Sequence, residues 1–134
     1  METKNEFGVF SEDGKIMLSV TASGKLVVPP IVEDLAKNEE GFCQLKRNQL
    51  NEIVFSEGCT KIGSGWDIDI YDIVDHDDGS LHDIYLPSTI QEVDANAFSH
   101  YYSIRNVWVP RGFKGKICKM LPKHLAKHVK IGIF

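Results

Sequence analysis

The apolar positions of this chain follow an alternating pattern that occurs more than once. Ile84-Tyr85-Leu86 is followed by a proline, and the same order returns 23 residues later at Val107-Trp108-Val109. Successive side chains of a strand point to opposite faces, so the outer two residues of each triplet share one face. The pattern therefore predicts a short strand in each copy, apolar on one face, with Tyr85 and Trp108 on the other.

The same frame extends to both sides of these two copies. Its first apolar position falls, in chain order, at Leu26, Ile53, Ile84, Val107 and Val129. The intervals are 27, 31, 23 and 22 residues. Internal repeats of this length are typical of solenoids, in which each unit buries its apolar face against its neighbours. The sequence therefore predicts an α/β solenoid of about four coils.

The remaining segments are predicted to complete a single domain over residues 1–134. Residues 1–22 are expected to form an N-terminal β-hairpin cap, because two apolar runs flank a Glu-Asp-Gly turn. Residues 23–110 hold the repeats, with an acidic insertion at 66–80. Residues 111–134 form a C-terminal cap with a basic helix over 114–127, which Pro122 starts or kinks.

One stretch, Leu81 to Pro110, resembles the BspA-like class of bacterial leucine-rich repeats. Units of that class read as a short strand, a proline, a turn with two aliphatic residues (here Ile90 and Val93) and an Ala-Phe pair (here Ala97-Phe98). The segment Val107 to Pro122 is similar to the way such arrays finish. The resemblance implies a right-handed leucine-rich-repeat solenoid that binds proteins or surfaces, and it supplies no catalytic residues.

The charge of the chain is divided unevenly along its length. The net charge of −4 is the sum of −12 in residues 1–94 and +8 in residues 95–134. The basic residues of the C-terminal part are Arg105, Arg111, Lys114, Lys116, Lys119, Lys123, Lys127 and Lys130. They make nucleic-acid or anionic-surface binding an alternative function. Phe113 is expected to be buried in the slot of Ile90, and the lack of aromatic residues for base stacking argues against nucleic acid.

No stretch of the sequence is apolar and long enough to span a membrane, and residues 1–6 are polar. The three cysteines are odd in number and widely spaced, so no disulfide framework is expected. Cys59 falls in the buried slot that Ile90 fills, and Cys43 has no evident partner. The sequence as written predicts a cytoplasmic protein, or a surface or secreted one if a leader has been removed.

Other groups of reactive side chains lack the spacing that catalysis or metal binding requires. Asp75, Asp77 and Asp78 are rich in oxygen ligands, but they do not fit the calcium loop that Gly79 would define. Cys118, His124 and His128 supply too few ligands for structural zinc. No acid follows Asp94 to orient a Cys-His nucleophile, and Gly63-Ser-Gly65 lacks the lysine of a phosphate loop. We therefore expect no catalytic residue, metal site or cofactor.

The middle positions of the strands form the most specific candidate site. They are Val27, Val54, Tyr85, Trp108 and Lys130, flanked by Glu52, Asp83, Asn106 and His128. Large aromatic residues on an exposed sheet face are typical of protein-binding hot spots. We predict a non-enzymatic protein-binding module whose partner contacts Val54, Asp83, Tyr85, Asn106, Trp108 and Lys130. The alternatives are a structural homo-oligomer formed through a solenoid edge and the anionic partner considered above.

Overall fold

The computed structural model describes residues 3–20, 24–36, 50–63, 66, 81–98 and 104–132. Its strands are β1 (Thr3–Lys4), β2 (Gly8–Phe10), β3 (Ile16–Val20), β4 (Lys25–Val28), β5 (Asp34–Leu35), β6 (Glu52–Phe55), β7 (Lys61–Ile62), β8 (Asp83–Tyr85), β9 (Glu92–Val93), β10 (Asn106–Val109) and β11 (Val129–Ile131). Its helices are α1 (Lys114–Met120) and α2 (Lys123–Ala126). The acidic tract at 67–80, with Asp75, Asp77 and Asp78, lies outside the described residues, as does Cys43.

The largest sheet has five strands in the order β11-β10-β8-β6-β4, and every neighbouring pair in it is parallel. Ile53 pairs with Leu26 on one side and with Ile84 on the other. Val107 in turn pairs with Ile84 and Val129. The residues that the repeat aligns in sequence are therefore neighbours across the sheet, because each strand presents its apolar face to the same core.

Two smaller sheets lie beside the five-stranded one. The hairpin of β2 and β3 is antiparallel, and its turn contains Gly14 at a φ of +78°, a conformation that suits glycine. The strand order β1-β2-β3-β5 joins this hairpin to β5 through a parallel pairing of Met17 with Leu35. A further parallel pair, β7 and β9, aligns Ile62 with Val93. The predicted N-terminal hairpin is present, but it continues a sheet rather than standing apart as a cap.

The prediction of a right-handed leucine-rich-repeat solenoid is wrong. The chain has a mixed α/β fold with a mostly parallel five-stranded sheet and two short helices. Both helices in the described part of the chain lie between β10 and β11, so they do not recur with the strands. The physical reason is that the repeat specifies only the strands and their buried faces. The connections differ in length and sequence, and they form different structures.

An aromatic cluster fills the core behind the sheet. Trp66 is fully buried, with its ring centroid 5.1 Å from that of Phe55 and 6.0 Å from that of Phe98. Phe98 adopts a φ of +57°, which is uncommon for a bulky residue, and its ring is buried by packing in this cluster. Within the described residues the indole N–H of Trp66 has no hydrogen-bond partner. Trp66 thus occupies the core region where the second copy of the repeat lacks the Ala-Phe pair.

The C-terminal segment forms two helices rather than one. Leu121 ends α1 in an extended conformation, and Pro122 is the N-cap residue of α2. A proline cannot continue a helix but is tolerated where a helix begins. Ile117 of α1 and Leu125 of α2 are buried in the core. The two helices thereby close the end of the core beside β11.

Candidate partner-binding face

The middle residues of the main strands lie side by side on the sheet face opposite the core. Paired across the five strands in register, they are Val27, Val54, Tyr85, Trp108 and Lys130. The valines and both aromatic residues of this row are half-buried, and Lys130 is exposed. By contrast, Val107 and Val109, on either side of Trp108, are fully buried. The predicted register is therefore correct, since a shift of one residue would reverse these exposures.

Tyr85 and Trp108 form a stacked pair at the centre of this row. Their ring centroids are 6.2 Å apart, and their planes differ by 20°. Burial is the main cause that raises the pKa of Tyr85, and the negative charges of Glu52 and Asp83 add to it. The phenol therefore stays neutral throughout the physiological pH range, beside two carboxylates.

Asp83 holds the aromatic pair in place through one carboxylate oxygen. Its Oδ1 accepts a hydrogen bond of 3.0 Å from Nε1 of Trp108 and one of 2.8 Å from Nδ2 of Asn106. The amide oxygen of Asn106 in turn accepts a bond from the ammonium group of Lys130. Bonds to a charged acceptor are stronger than bonds between neutral groups. This chain of contacts fixes the orientation of the indole ring.

A second row of polar residues runs beside the first on the same face. Lys25, Glu52, Asp83 and Asn106 pair in register across β4, β6, β8 and β10. Nζ of Lys25 lies 3.7 Å from a carboxylate oxygen of Glu52, and these side chains are 60% and 32% exposed. We call the two rows together, residues 25, 27, 52, 54, 83, 85, 106, 108 and 130, the aromatic face.

Gly132 is a part of this face that sequence reasoning missed. A Cβ atom placed on Gly132 would lie 2.8 Å from Cε3 of Trp108, closer than real contacts permit. The indole ring therefore rests on the backbone of the segment after β11. The available signal was position, because Gly132 follows Pro110 by the same 22 residues that separate Val107 from Val129.

A groove continues from the aromatic face along the carboxyl ends of the strands. Its volume is about 490 Å³, and its lining includes Val54, Pro87, Pro110, Phe113 and Gly132. The prediction that Phe113 is buried is wrong. Its ring is half-buried in the groove wall, because it follows a turn at Gly112 instead of a strand, and Nζ of Lys116 lies 5.9 Å from its centroid.

Glu57 lies at the rim of this groove and is tied to the next turn. Its carboxylate accepts a hydrogen bond of 3.2 Å from the backbone N–H of Ser88 and a second bond from the Ser88 hydroxyl. Thr89 adds a bond from its hydroxyl to the carbonyl of Cys59 and accepts one from the N–H of Gly58, both 2.8 Å long. The turns after β6 and β8 are thus joined, which gives the groove a fixed wall.

The basic residues of the C-terminal part are all exposed. They comprise Arg105, Arg111, Lys114, Lys116, Lys119, Lys123, Lys127 and Lys130. His124 lies beside them with Nε2 3.0 Å from the carbonyl oxygen of Ala97. Burial, followed by the charges of Lys127 and Lys130, lowers the pKa of His128. Within the described part of the chain, no group of three or more His, Cys, Asp or Glu side chains could hold a metal ion.

Cys59 occupies the core position that the repeat assigns to it. It is fully buried, and its thiol donates a 3.3 Å hydrogen bond to the carbonyl oxygen of Pro29. Burial raises the pKa of Cys59 to about 11. A neutral thiol of this kind is a poor nucleophile, so Cys59 serves the packing of the core.

No protein-family model, curated protein or solved structure was found to match this chain. As a statement of family, the resemblance to BspA-like repeats stays a prediction. In the described residues, no helix has both the length and the apolar character to cross a membrane.

Proposed function

We propose that this protein is a non-enzymatic binding module that contacts a protein partner through the aromatic face. The observation that carries the proposal is the orientation of Trp108, whose indole is stacked beside Tyr85 and bonded to Asp83. Trp and Tyr are the residues most enriched at interface hot spots. Here both are half-buried on the outer face of a sheet rather than in its core.

Fixed rings favour binding because less conformational freedom is lost on association. Ordering a flexible side chain at an interface costs about 0.5–1.5 kcal/mol. In the aromatic face much of this cost is already met in folding, through the bonds from Trp108 and Asn106 to Asp83. A partner that covers the rings gains the burial of large apolar surfaces at a reduced entropic cost.

The proposal is tested by comparing what wild-type protein and single variants capture from a cell extract. Trp108→Ala removes the central ring, whereas Lys61→Ala removes an exposed lysine of β7 that pairs with Glu92 at 3.5 Å, away from the aromatic face. Proteins that wild type and Lys61→Ala retain and Trp108→Ala loses would support the proposal. Equal capture by all three folded proteins would refute it.

A second copy of the chain is the first rival partner. Strand β11 is at an edge of the sheet, and its Ile131 is 47% exposed, one of two large hydrophobic residues so exposed in the described part of the chain. An unpaired edge with an exposed apolar side chain can add another strand. Lys130 opposes this, since two such edges pairing about that residue would bring like charges together. Light scattering that gives a mass above one chain would favour this rival.

An anionic partner is the second rival, because the basic residues of the C-terminal part are exposed together. Affinity made of phosphate contacts falls steeply with added salt. Binding through the aromatic face should be weakened by Trp108→Ala and depend little on salt. Binding that depends on salt and is lost when Lys119 and Lys123 are changed to glutamine would favour this rival instead.

A further inference from the structure

The π faces of Tyr85 and Trp108 can attract a cation. The two rings are nearly parallel and lie side by side, with centroids 6.2 Å apart, so together they form one extended aromatic surface. The face of an aromatic ring carries partial negative charge and attracts a guanidinium or ammonium group within about 6 Å. A planar guanidinium also stacks on such a surface, which an ammonium group does not.

The charges on the aromatic face are arranged with the acids at the centre. Glu52 on β6 and Asp83 on β8 are neighbours in register, and the lysines Lys25 and Lys130 lie on the two edge strands. Oδ1 of Asp83 holds Trp108 and Asn106, and in the part of the chain that is described Oδ2 of Asp83 accepts no hydrogen bond. A carboxylate oxygen next to two aromatic rings is a suitable acceptor for an incoming cation.

The lysine beside Glu52 does not cancel this arrangement. The ion pair of Lys25 and Glu52 is 3.7 Å long, and its side chains are 60% and 32% exposed. Exposed pairs of this kind contribute little free energy, so a partner's cation can compete with Lys25 for the carboxylate. A partner's carboxylate at the same place would instead be repelled by both Glu52 and Asp83.

The groove provides the apolar part of the same surface. Val54 belongs both to the aromatic face and to the groove lining, and Gly132 contacts the indole on one side and lines the groove on the other. Pro87, Pro110 and Phe113 make most of the remaining wall apolar. A peptide that reaches the rings therefore has an apolar site directly beside them, of about 490 Å³.

We infer that the occupant of the aromatic face is a basic protein segment, whose arginine or lysine side chain lies over Tyr85 and Trp108 between Glu52 and Asp83. A bulky apolar residue next to that cation fills the groove beside Gly132. The inference rests on the proposed function and specifies the chemistry of the partner. Arginine fits better than lysine, because its planar group can stack on the rings and bond to the carboxylate of Asp83 at once.

The inference is tested with short random peptides displayed on phage and selected on immobilised wild-type protein. We expect the selected peptides to be enriched in arginine or lysine beside a bulky apolar residue. Replacing that arginine with citrulline, which keeps the shape and removes the charge, should weaken binding about tenfold.

Variants of the protein test the other half of the contact. Asp83→Asn keeps an oxygen for the bonds from Trp108 and Asn106 and removes the negative charge, and we expect it to weaken binding about fivefold. Glu52→Gln removes the second charge without touching that network. Glu92→Gln removes an exposed carboxylate of β9, outside the aromatic face, and should leave binding unchanged. The near-ultraviolet dichroism of each variant shows whether the stacked rings are retained.

The outcomes separate the inference from the proposed function. Peptides that lose binding in Trp108→Ala but carry no preferred cation, or bind equally with citrulline, would overturn the inference and leave protein binding in place. Peptides that bind Trp108→Ala as well as wild type, or a selection that enriches none, would overturn both. A wild-type dimer that becomes monomeric in Trp108→Ala would assign the aromatic face to a second copy and overturn the inference.

Discussion

Two adjacent valines on β4 allow a direct test of which sheet face is outward. Val28 is fully buried in the core, and Val27 is half-buried on the aromatic face. Changing valine to threonine replaces one methyl group with a hydroxyl at nearly constant volume. The same substitution at neighbouring positions therefore differs only in the environment of that hydroxyl.

The two expected losses of stability differ several-fold. Burying a hydroxyl without a partner costs about 2 kcal/mol. The lost methyl burial adds about 0.8 kcal/mol, so Val28→Thr should lower the free energy of unfolding by about 3 kcal/mol. Val27→Thr leaves its hydroxyl in contact with water, and its effect should stay within about 0.5 kcal/mol. A chain of 134 residues has a total stability of about 10 kcal/mol, so both variants should fold.

Urea unfolding followed by far-ultraviolet dichroism measures both values. With a slope of about 2 kcal/mol per molar, Val28→Thr should lower the midpoint by about 1.5 M and Val27→Thr by less than about 0.3 M. Val107→Thr and Val54→Thr give an independent buried and half-buried comparison on other strands. Equal losses at positions 27 and 28 would show that the aromatic face is covered as the core is, and would refute the argument for the site.

Three further predictions concern other groups. Because burial raises the pKa of Cys59 to about 11, a thiol reagent at neutral pH should modify half-buried Cys118 in the folded protein and reach Cys59 only after unfolding, which peptide mapping checks. Gly132→Ala should displace the indole ring and cost about 1–2 kcal/mol in urea unfolding, whereas a Cβ at Gly115 meets open space in α1 and should add about 0.5 kcal/mol; a neutral effect at Gly132 would contradict the contact. Burial and neighbouring lysines lower the pKa of His128 below its ordinary 6.5, so its contribution is present above pH 6.5 and is lost as the pH falls through the folded value. His128→Gln should therefore reduce the loss of stability on acidification, and an unchanged pH profile would contradict this assignment.

The strands and their register could be predicted from the sequence because both depend on local alternation. A strand that must bury every second side chain can pair with its neighbour in few ways, since a shift of one residue exposes the apolar set. This constraint aligned Ile53, Ile84 and Val107, and it placed Tyr85 beside Trp108. The same reasoning put Cys59 in the core and a break at Pro122.

The fold class could not be predicted in this way. The apolar frame is silent about the connections, and it was these that distinguished the mixed fold from a solenoid. Strand β5 joins the N-terminal hairpin through hydrogen bonds between backbone groups, which carry no signature in side-chain pattern. Phe113 was misplaced for the same reason, because a turn at Gly112 replaces the expected regular spacing.

The sequence by itself determined which residues are apolar, which are charged and which of them share a strand face. Only the tertiary structure decided that one oxygen of Asp83 accepts bonds from both Trp108 and Asn106, and that Gly132 lies beneath the indole. These contacts join residues 23 to 25 positions apart or separate strands of the sheet. Hydrogen-bond geometry and steric contact depend on distances of a few tenths of an ångström, which arise only after the strands have packed.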